Sequence, residues 1–345
     1  MEDQRKRLAA PAGEAVRLEA PVGRGTRVFL AFLLCCAVLV AVFAVSRIWA
    51  GRRANGDIDP GGGTERTTDT QGESGTGQGD TETDAPLPTD AIAIRSADLS
   101  GTGFRNETAH AVDAAAVRAL IGGDTRSFSP DLPVVLILHT HAQEGYRTDG
   151  KPYLTGPVGD AIYTNDPEAS VIAAGEALCR ELTRGGVPAI HCTALHGEGG
   201  TLRGAYESAA DCIRAYRQQY PSIEYVIDLH RDSVLATDGA CLRTASPDGR
   251  AQIMAVVGSD GNGTDCPAWR YNLGLALCLA DRLNAASAGS CRPAVLRNAT
   301  YNQELAPHSL LLEIGSAGNT VEEAVEAATR VGQVLADLIC NRPAQ

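Results

Sequence analysis

No Cys-x-x-Cys pair occurs in this sequence, although it holds ten cysteines, so the spacing of a cysteine zinc site is missing and none is expected. No Gly-x-Ser-x-Gly phrase precedes a helical pattern, which argues against a serine hydrolase. No internal repeat at solenoid or propeller periods is visible. Basic residues are outnumbered, 30 Lys and Arg against 42 Asp and Glu for a net charge of −12, and a chain this acidic is a poor partner for nucleic acid. Histidine is scarce as well: the seven are His110, His139, His141, His191, His196, His230 and His308, so each can be weighed singly.

What is present begins with an uncharged 18-residue run, Val28 to Val45. At the helical rise it can cross a bilayer core with help from Ser46 to Ala50. Six cations precede it (Arg5, Lys6, Arg7, Arg17, Arg24, Arg27) and three follow (Arg47, Arg52, Arg53), which favours a cytoplasmic N-terminus. The run is longer than a usual signal-peptide core and no A-x-A-like cleavage site directly follows it. From Ala54 to Asp90 there are nine acids, one base and almost no large apolar side chain, the composition of a flexible tether spanning about 35 Å as a random coil. The expected organisation is therefore a cytoplasmic segment at 1–27, a transmembrane anchor at 28–50, a disordered acidic tether at 51–90 and one extracytoplasmic catalytic domain at 91–345.

Within that domain, strand and helix patterns alternate. Short apolar runs at Val134–Leu138, Val187–His191, Tyr225–Leu229, Ala251–Val257 and Leu310–Ile314 read as strands. Helical spacing covers Glu168–Arg184, Leu202–Tyr220, Trp269–Ala288 and Val321–Cys340. The order predicts an α/β fold: a central, mainly parallel sheet flanked by helices on both faces. Cysteines 179, 212, 278 and 340 fall inside the helical patterns, where burial as small hydrophobes is the plainer reading, although eight cysteines in an exported domain also permit disulfides.

The chemistry stands at the strand ends, where an α/β sheet lines its ligand crevice. His139 and Glu144 follow the first run in VVLILHTHAQE, His230 follows the third in YVIDLHRD, and Glu313 lies in LLLEIG. Two histidines and a carboxylate suffice for a catalytic zinc with an open position, so these residues point to a metal-dependent hydrolase. His139 and His141, two apart, would share a face on an extended strand, so both are ligand candidates. A carboxylate in a run as apolar as that around Glu313 is costly to bury without a reason: a general base is one, an ion pair with Arg231 another. Asp228 and Asp232 flank His230 and are placed to orient its ring, and an Arg231–Asp232 ion pair is a structural alternative.

Four phrases, HTHAQEGY (His139 to Tyr146), DLHRDS (Asp228 to Ser233), YNQELAP (Tyr301 to Pro307) and LLLEIGSAGNT (Leu310 to Thr320), resemble those of the stage II sporulation protein P family over Leu132 to Cys340. That family consists of membrane-anchored cell-wall hydrolases similar to zinc-dependent N-acetylmuramoyl-L-alanine amidases. The resemblance implies Zn2+ as cofactor, His139, Glu144 and His230 as its ligands, with Glu168 or His141 as alternatives for the third, and Glu313 as catalytic base. Arg231, beside the metal, is expected to hold an oxyanion or a stem-peptide carboxylate. Ala142-Gln143 and Ser316-Ala317 depart mildly from the family's phrases and remove no ligand. The implied substrate is peptidoglycan, cut at the muramoyl-L-alanine amide and at peptide cross-links, at the cell membrane, with stage II sporulation proteins D and M as partners. A catalytically silent wall-binding scaffold of the same fold is the alternative.

Overall fold

The computed structural model describes residues 103–147, 163–197, 204–234, 241–260 and 263–341, together with a strand at 91–92. The anchor expected at 28–50 and the tether at 51–90 lie outside these residues. Among the described residues no helix is long and apolar enough to cross a membrane.

In chain order the strands are β1 Ala91–Ile92, β2 Phe104–Asn106, β3 Val135–Leu138, β4 Ala189–His191, β5 Tyr225–Asp232, β6 Arg243–Thr244, β7 Ile253–Gly258, β8 Ala294–Arg297 and β9 His308–Ser316. The α-helices are α1 Ala114–Arg118, α2 Val171–Arg184, α3 Ala205–Gln219, α4 Trp269–Ala286 and α5 Val321–Ile339. Seven strands form one sheet in the order β2-β8-β7-β9-β5-β3-β4, and β1 pairs with β6 apart from it. The sheet is mainly parallel, as the alternating pattern predicts. Its one antiparallel seam, between β7 and β9, joins a parallel half of β4, β3, β5 and β9 to another of β7, β8 and β2.

Pleating sorts the side chains. Val135, Ile137, Ile227, Leu229, Leu310 and Leu312 face a core shared with α2, α4 and α5, whereas Leu136, Leu138 and Val226 face α3. Helices thus cover both faces, and β3, β5 and β9, being parallel, deliver their C-terminal ends to one edge. Local chemistry fixes the helix starts: the Ser170 hydroxyl accepts from Ile172 N at the start of α2, and Thr320 and Glu323 form a capping box on α5.

Helices α2 and α5 approach closely at Gly332, where an added Cβ would stand 2.6 Å from Glu181 Cβ. Gly332→Ala gains about 1 kcal/mol of helix propensity but overpacks the contact at about 1–3 kcal/mol. The expected outcome is a net loss of up to about 2 kcal/mol, read as a lower denaturation midpoint; a raised midpoint contradicts this packing.

Candidate active site

The site is built where β3 ends. Leu138 faces α3, so the next residue, His139, turns to the opposite face. There its Nδ1–H donates to Leu229 O (2.8 Å) and its Nε2 meets His191 Nε2 (2.8 Å). Gly175 of α2 makes room for this pair, since a Cβ there would lie 2.6 Å from His139 Nε2. Burial first, then the neighbouring His191, lowers the His139 imidazole to about 3, so the ring is neutral.

Thr140 then anchors the chain, its N–H donating to Asp228 Oδ1 (2.8 Å) and its hydroxyl to Oδ2 (2.6 Å). Residues 141–143 form a turn closed by Glu144 N on His141 O (2.9 Å). This turn ends the strand's alternation and carries His141 to the side of His230. The result is a group of His141, Glu144 and His230 whose ligand atoms all lie within 4.8 Å of one another. His141 Nδ1 is 3.2 Å from Glu144 Oε1 and His230 Nδ1 is 3.4 Å from Glu144 Oε2, with the two rings nearly perpendicular at 5.0 Å. His139, expected as a ligand, stands outside this group, and His141, an alternative to Glu144 as third ligand, stands in it together with Glu144. Glu168, the other alternative, sits in a short 3-10 turn at Pro167–Ala169 and is not part of the group.

The electrostatics favour a cation. His230 lies between two buried carboxylates, with Asp228 Oδ1 3.0 Å from its Nε2, and that nitrogen has no hydrogen-bond partner among the described residues. Burial alone would lower the His230 imidazole, but Asp228 and Glu144 outweigh it and hold it well above its ordinary value. Burial would likewise raise Glu144, yet His230, the hydrogen bond from His141 and the Arg231 charge hold it well below the usual carboxylate range. Two imidazoles and an ionised carboxylate fit a zinc-sized ion, with Asp228 behind His230 in the orienting place expected of it.

Glu313 is the register partner of His230 on the neighbouring parallel strand, so the two side chains share a face. Its Oε2 is buried with no hydrogen-bond partner among the described residues. Burial pushes its carboxyl up to about 8; His230 opposes the shift, and Glu144 and Asp232 reinforce it.

Arg231 is placed differently from the expectation. It is buried, its main-chain N–H donates to Glu144 Oε2 (3.0 Å), and its guanidinium donates to Gly145 O (3.2 Å) and Asp232 O (3.4 Å). It therefore positions Glu144 from behind and offers substrate no exposed cation. Asp232, considered as its ion-pair partner, pairs with Arg292 (2.6 Å).

Two aromatic residues were not legible as site members. Tyr206 of α3 sits edge-on to His141 at 5.6 Å, and Tyr301 lies 6.2 Å from Tyr206. Tyr301 lies in the YNQELAP phrase. Its neighbours there explain the phrase structurally: Asn302 Nδ2 donates to Tyr206 O (2.8 Å), and the Gln303 amide bonds Val256 O and Gly258 N of β7. Nothing in the helical pattern around Tyr206 marks it.

The family model of stage II sporulation protein P matches residues 64–338. The chain belongs to that family. A curated member, stage II sporulation protein P of Bacillus subtilis (strain 168), is 26% identical over 216 residues, covering 60% of this chain and 51% of that protein. The match therefore spans about half the length of the curated relative. Among solved structures, the apo N-acetylmuramyl-L-alanine amidase of Mycobacterium abscessus is similar at 17% identity and a TM-score of 0.35, covering 60% of this chain and 97% of that one. The CwlD amidase of Clostridioides difficile, solved in complex with the GerS lipoprotein, is similar at 14% identity and a TM-score of 0.36, covering 59% and 95%. Likenesses this slight carry no chemistry to this member of the family.

The geometry separates the two histidines of HTH. His141→Ala is expected to cost one equivalent of bound zinc, measured by elemental analysis of the purified protein. His139→Ala should keep that zinc but lose about 1–3 kcal/mol of stability, because it strips a buried hydrogen bond. The reverse pattern of metal loss would restore His139 as the ligand.

Proposed function

We propose that this chain is a zinc-dependent peptidoglycan hydrolase that cleaves the amide between N-acetylmuramic acid and L-alanine, with a second activity on peptide cross-links. The observation that carries the reading is the placement of Glu313, whose Oε2 is buried with no hydrogen-bond partner among the described residues, beside the group of His141, Glu144 and His230. A zinc ion held by those three residues would acidify a water and polarise a carbonyl. The chain's own residues do the rest. Asp228 and Glu144 orient the two imidazoles, and the Arg231 main chain fixes Glu144. Burial displaces the Glu313 carboxyl from its ordinary value up towards neutrality, which suits it to take a proton from the attacking water and pass it to the departing amine. Tyr206 and Tyr301 wall the site on the α3 side, next to His141. A silent scaffold would need no carboxylate oxygen buried here without a hydrogen-bond partner.

Family membership supports a role in sporulation, and the anionic chain is compatible with a wall polymer rather than nucleic acid. In this reading the Val28–Val45 run anchors the enzyme, N-terminus inside, and residues 51–90 carry the catalytic domain out to the wall, where it remodels the septum during engulfment. Stage II sporulation proteins D and M would be its partners in that complex.

The test is digestion of isolated peptidoglycan with the purified protein, the products being read by mass spectrometry. Free muramic acid lactyl groups paired with new L-alanine N-termini are expected. Glu313→Gln should keep its zinc and lose about 10² to 10⁴ in rate, because Gln is nearly isosteric and cannot accept the proton. Undiminished hydrolysis by Glu313→Gln removes it as the base, and zinc loss makes it a ligand. Protease shaving of intact cells checks the placement: the domain should be cut from outside while residues 1–27 stay protected, and full protection of the domain contradicts anchoring with this orientation.

A further inference from the structure

On the α3 face of the sheet, away from the proposed catalytic group, Cys192, His196 and Cys212 converge. Their ligand atoms all lie within 4.8 Å of one another, and the two sulfurs are 3.2 Å apart. Three elements supply them. Cys192 immediately follows β4, and its main-chain N–H is fixed to Ile137 O of β3 (2.8 Å). His196 lies in the loop beyond, and Cys212 is in the middle of α3. The spacing is Cys-x3-His-x15-Cys, which no zinc-finger pattern describes, so the cluster is invisible to a search for Cys-x-x-Cys.

The histidine decides what the cluster is for. His196 is 6% exposed, and its Nε2 is buried with no hydrogen-bond partner among the described residues. Its other nitrogen, Nδ1, is 3.1 Å from Ser208 Oγ. Ser208 stands one helical turn before Cys212, on the same face of α3. A proton on Nδ1, donated to Ser208, leaves the Nε2 lone pair free for a ligand; this is how a carboxylate, carbonyl or hydroxyl commonly orients a metal-binding imidazole. A disulfide between the two cysteines would leave that lone pair buried and unsatisfied, at a cost of about 1–3 kcal/mol.

We propose that Cys192, Cys212 and His196 Nε2 bind a thiophilic divalent cation, zinc, at a site distinct from the proposed catalytic one. Two thiolates neutralise the ion's charge, and a set of two sulfurs and one imidazole selects zinc over magnesium or calcium. Three protein ligands leave one position of the tetrahedron for water. The ion clips α3 to the end of β4. Because α3 carries Tyr206, which abuts His141 at 5.6 Å, the clip also sets one wall of the proposed catalytic site.

The test uses the full-length protein loaded with cobalt. A thiolate-to-cobalt charge-transfer band in the near ultraviolet is expected. It should vanish in Cys192→Ser and in Cys212→Ser, and survive in His230→Ala, because the proposed catalytic group contains no sulfur. Ser208→Ala should keep the band and bind the ion roughly 10–100-fold more weakly. Should a serine variant fail to fold, alkylation of the wild type gives the same answer without a substitution: Cys192 and Cys212 should be protected until a chelator is added. Absence of the band, its persistence in both serine variants, or recovery of a Cys192–Cys212 disulfide in peptide mapping each overturns the proposal. None of these results depends on whether the protein cleaves peptidoglycan.

Discussion

Asp228 binds two strand ends at once. One carboxylate accepts both the main-chain N–H and the hydroxyl of Thr140, at 2.8 and 2.6 Å, and places an oxygen 3.0 Å from His230. The group is buried; burial would raise its pKa, yet His230 and the Thr140 donors hold it below its ordinary value, so it stays charged. A buried charge with this many partners is costly to disturb, since removing one partner of a buried pair typically costs about 3–5 kcal/mol. Without Asp228, the turn that carries His141 across to His230 loses its two bonds at Thr140 and is held to β5 only through the residues on either side, His139, Glu144 and Gly145.

The layer behind the site has the same character, with polar side chains satisfying mostly main-chain groups. Asn319 accepts from Ser316 N and Thr244 N and donates to Thr244 O and Glu323, tying the end of β9 to β6 and to the capping box of α5. Tyr146 OH donates to Ile314 O (2.8 Å), joining the turn after β3 to β9. Gln303 does the equivalent across β7. Bonds of this kind fix the side chains of the site through the fold itself, which is what preorganisation requires.

Much of this was legible. The apolar runs around Leu136, Ile227 and Leu311 were long enough to mark buried parallel strands, and the unexplained acid in LLLEIG marked Glu313. The four-residue β8 was too short to be read from pattern, and so was β2. The antiparallel seam at β7 is a property of chain routing that no local pattern encodes. That His139 and His141 part company was not legible, for a specific reason. Alternation along a strand assigns both to one face, but the strand ends at Leu138 and the Thr140–Asp228 bond, 88 positions away in sequence, redirects the chain. The setting of Arg231 was hidden for a related reason: it follows His230 in sequence, yet its side chain is buried and donates to Gly145 O and Asp232 O. The cluster of Cys192, His196 and Cys212 depends on the packing of α3 against β4, and spacing alone gave no sign of it.

The proposed function places the metal on His141, Glu144 and His230, and not on His139. Anomalous diffraction at the zinc edge from crystals of the zinc-loaded protein tests it most directly. The account predicts a peak about 2.0–2.2 Å from one nitrogen each of His141 and His230 and from an oxygen of Glu144, with Glu313 nearby and uncoordinated. A peak bonded to His139, or none at this group in zinc-loaded, active protein, would contradict it.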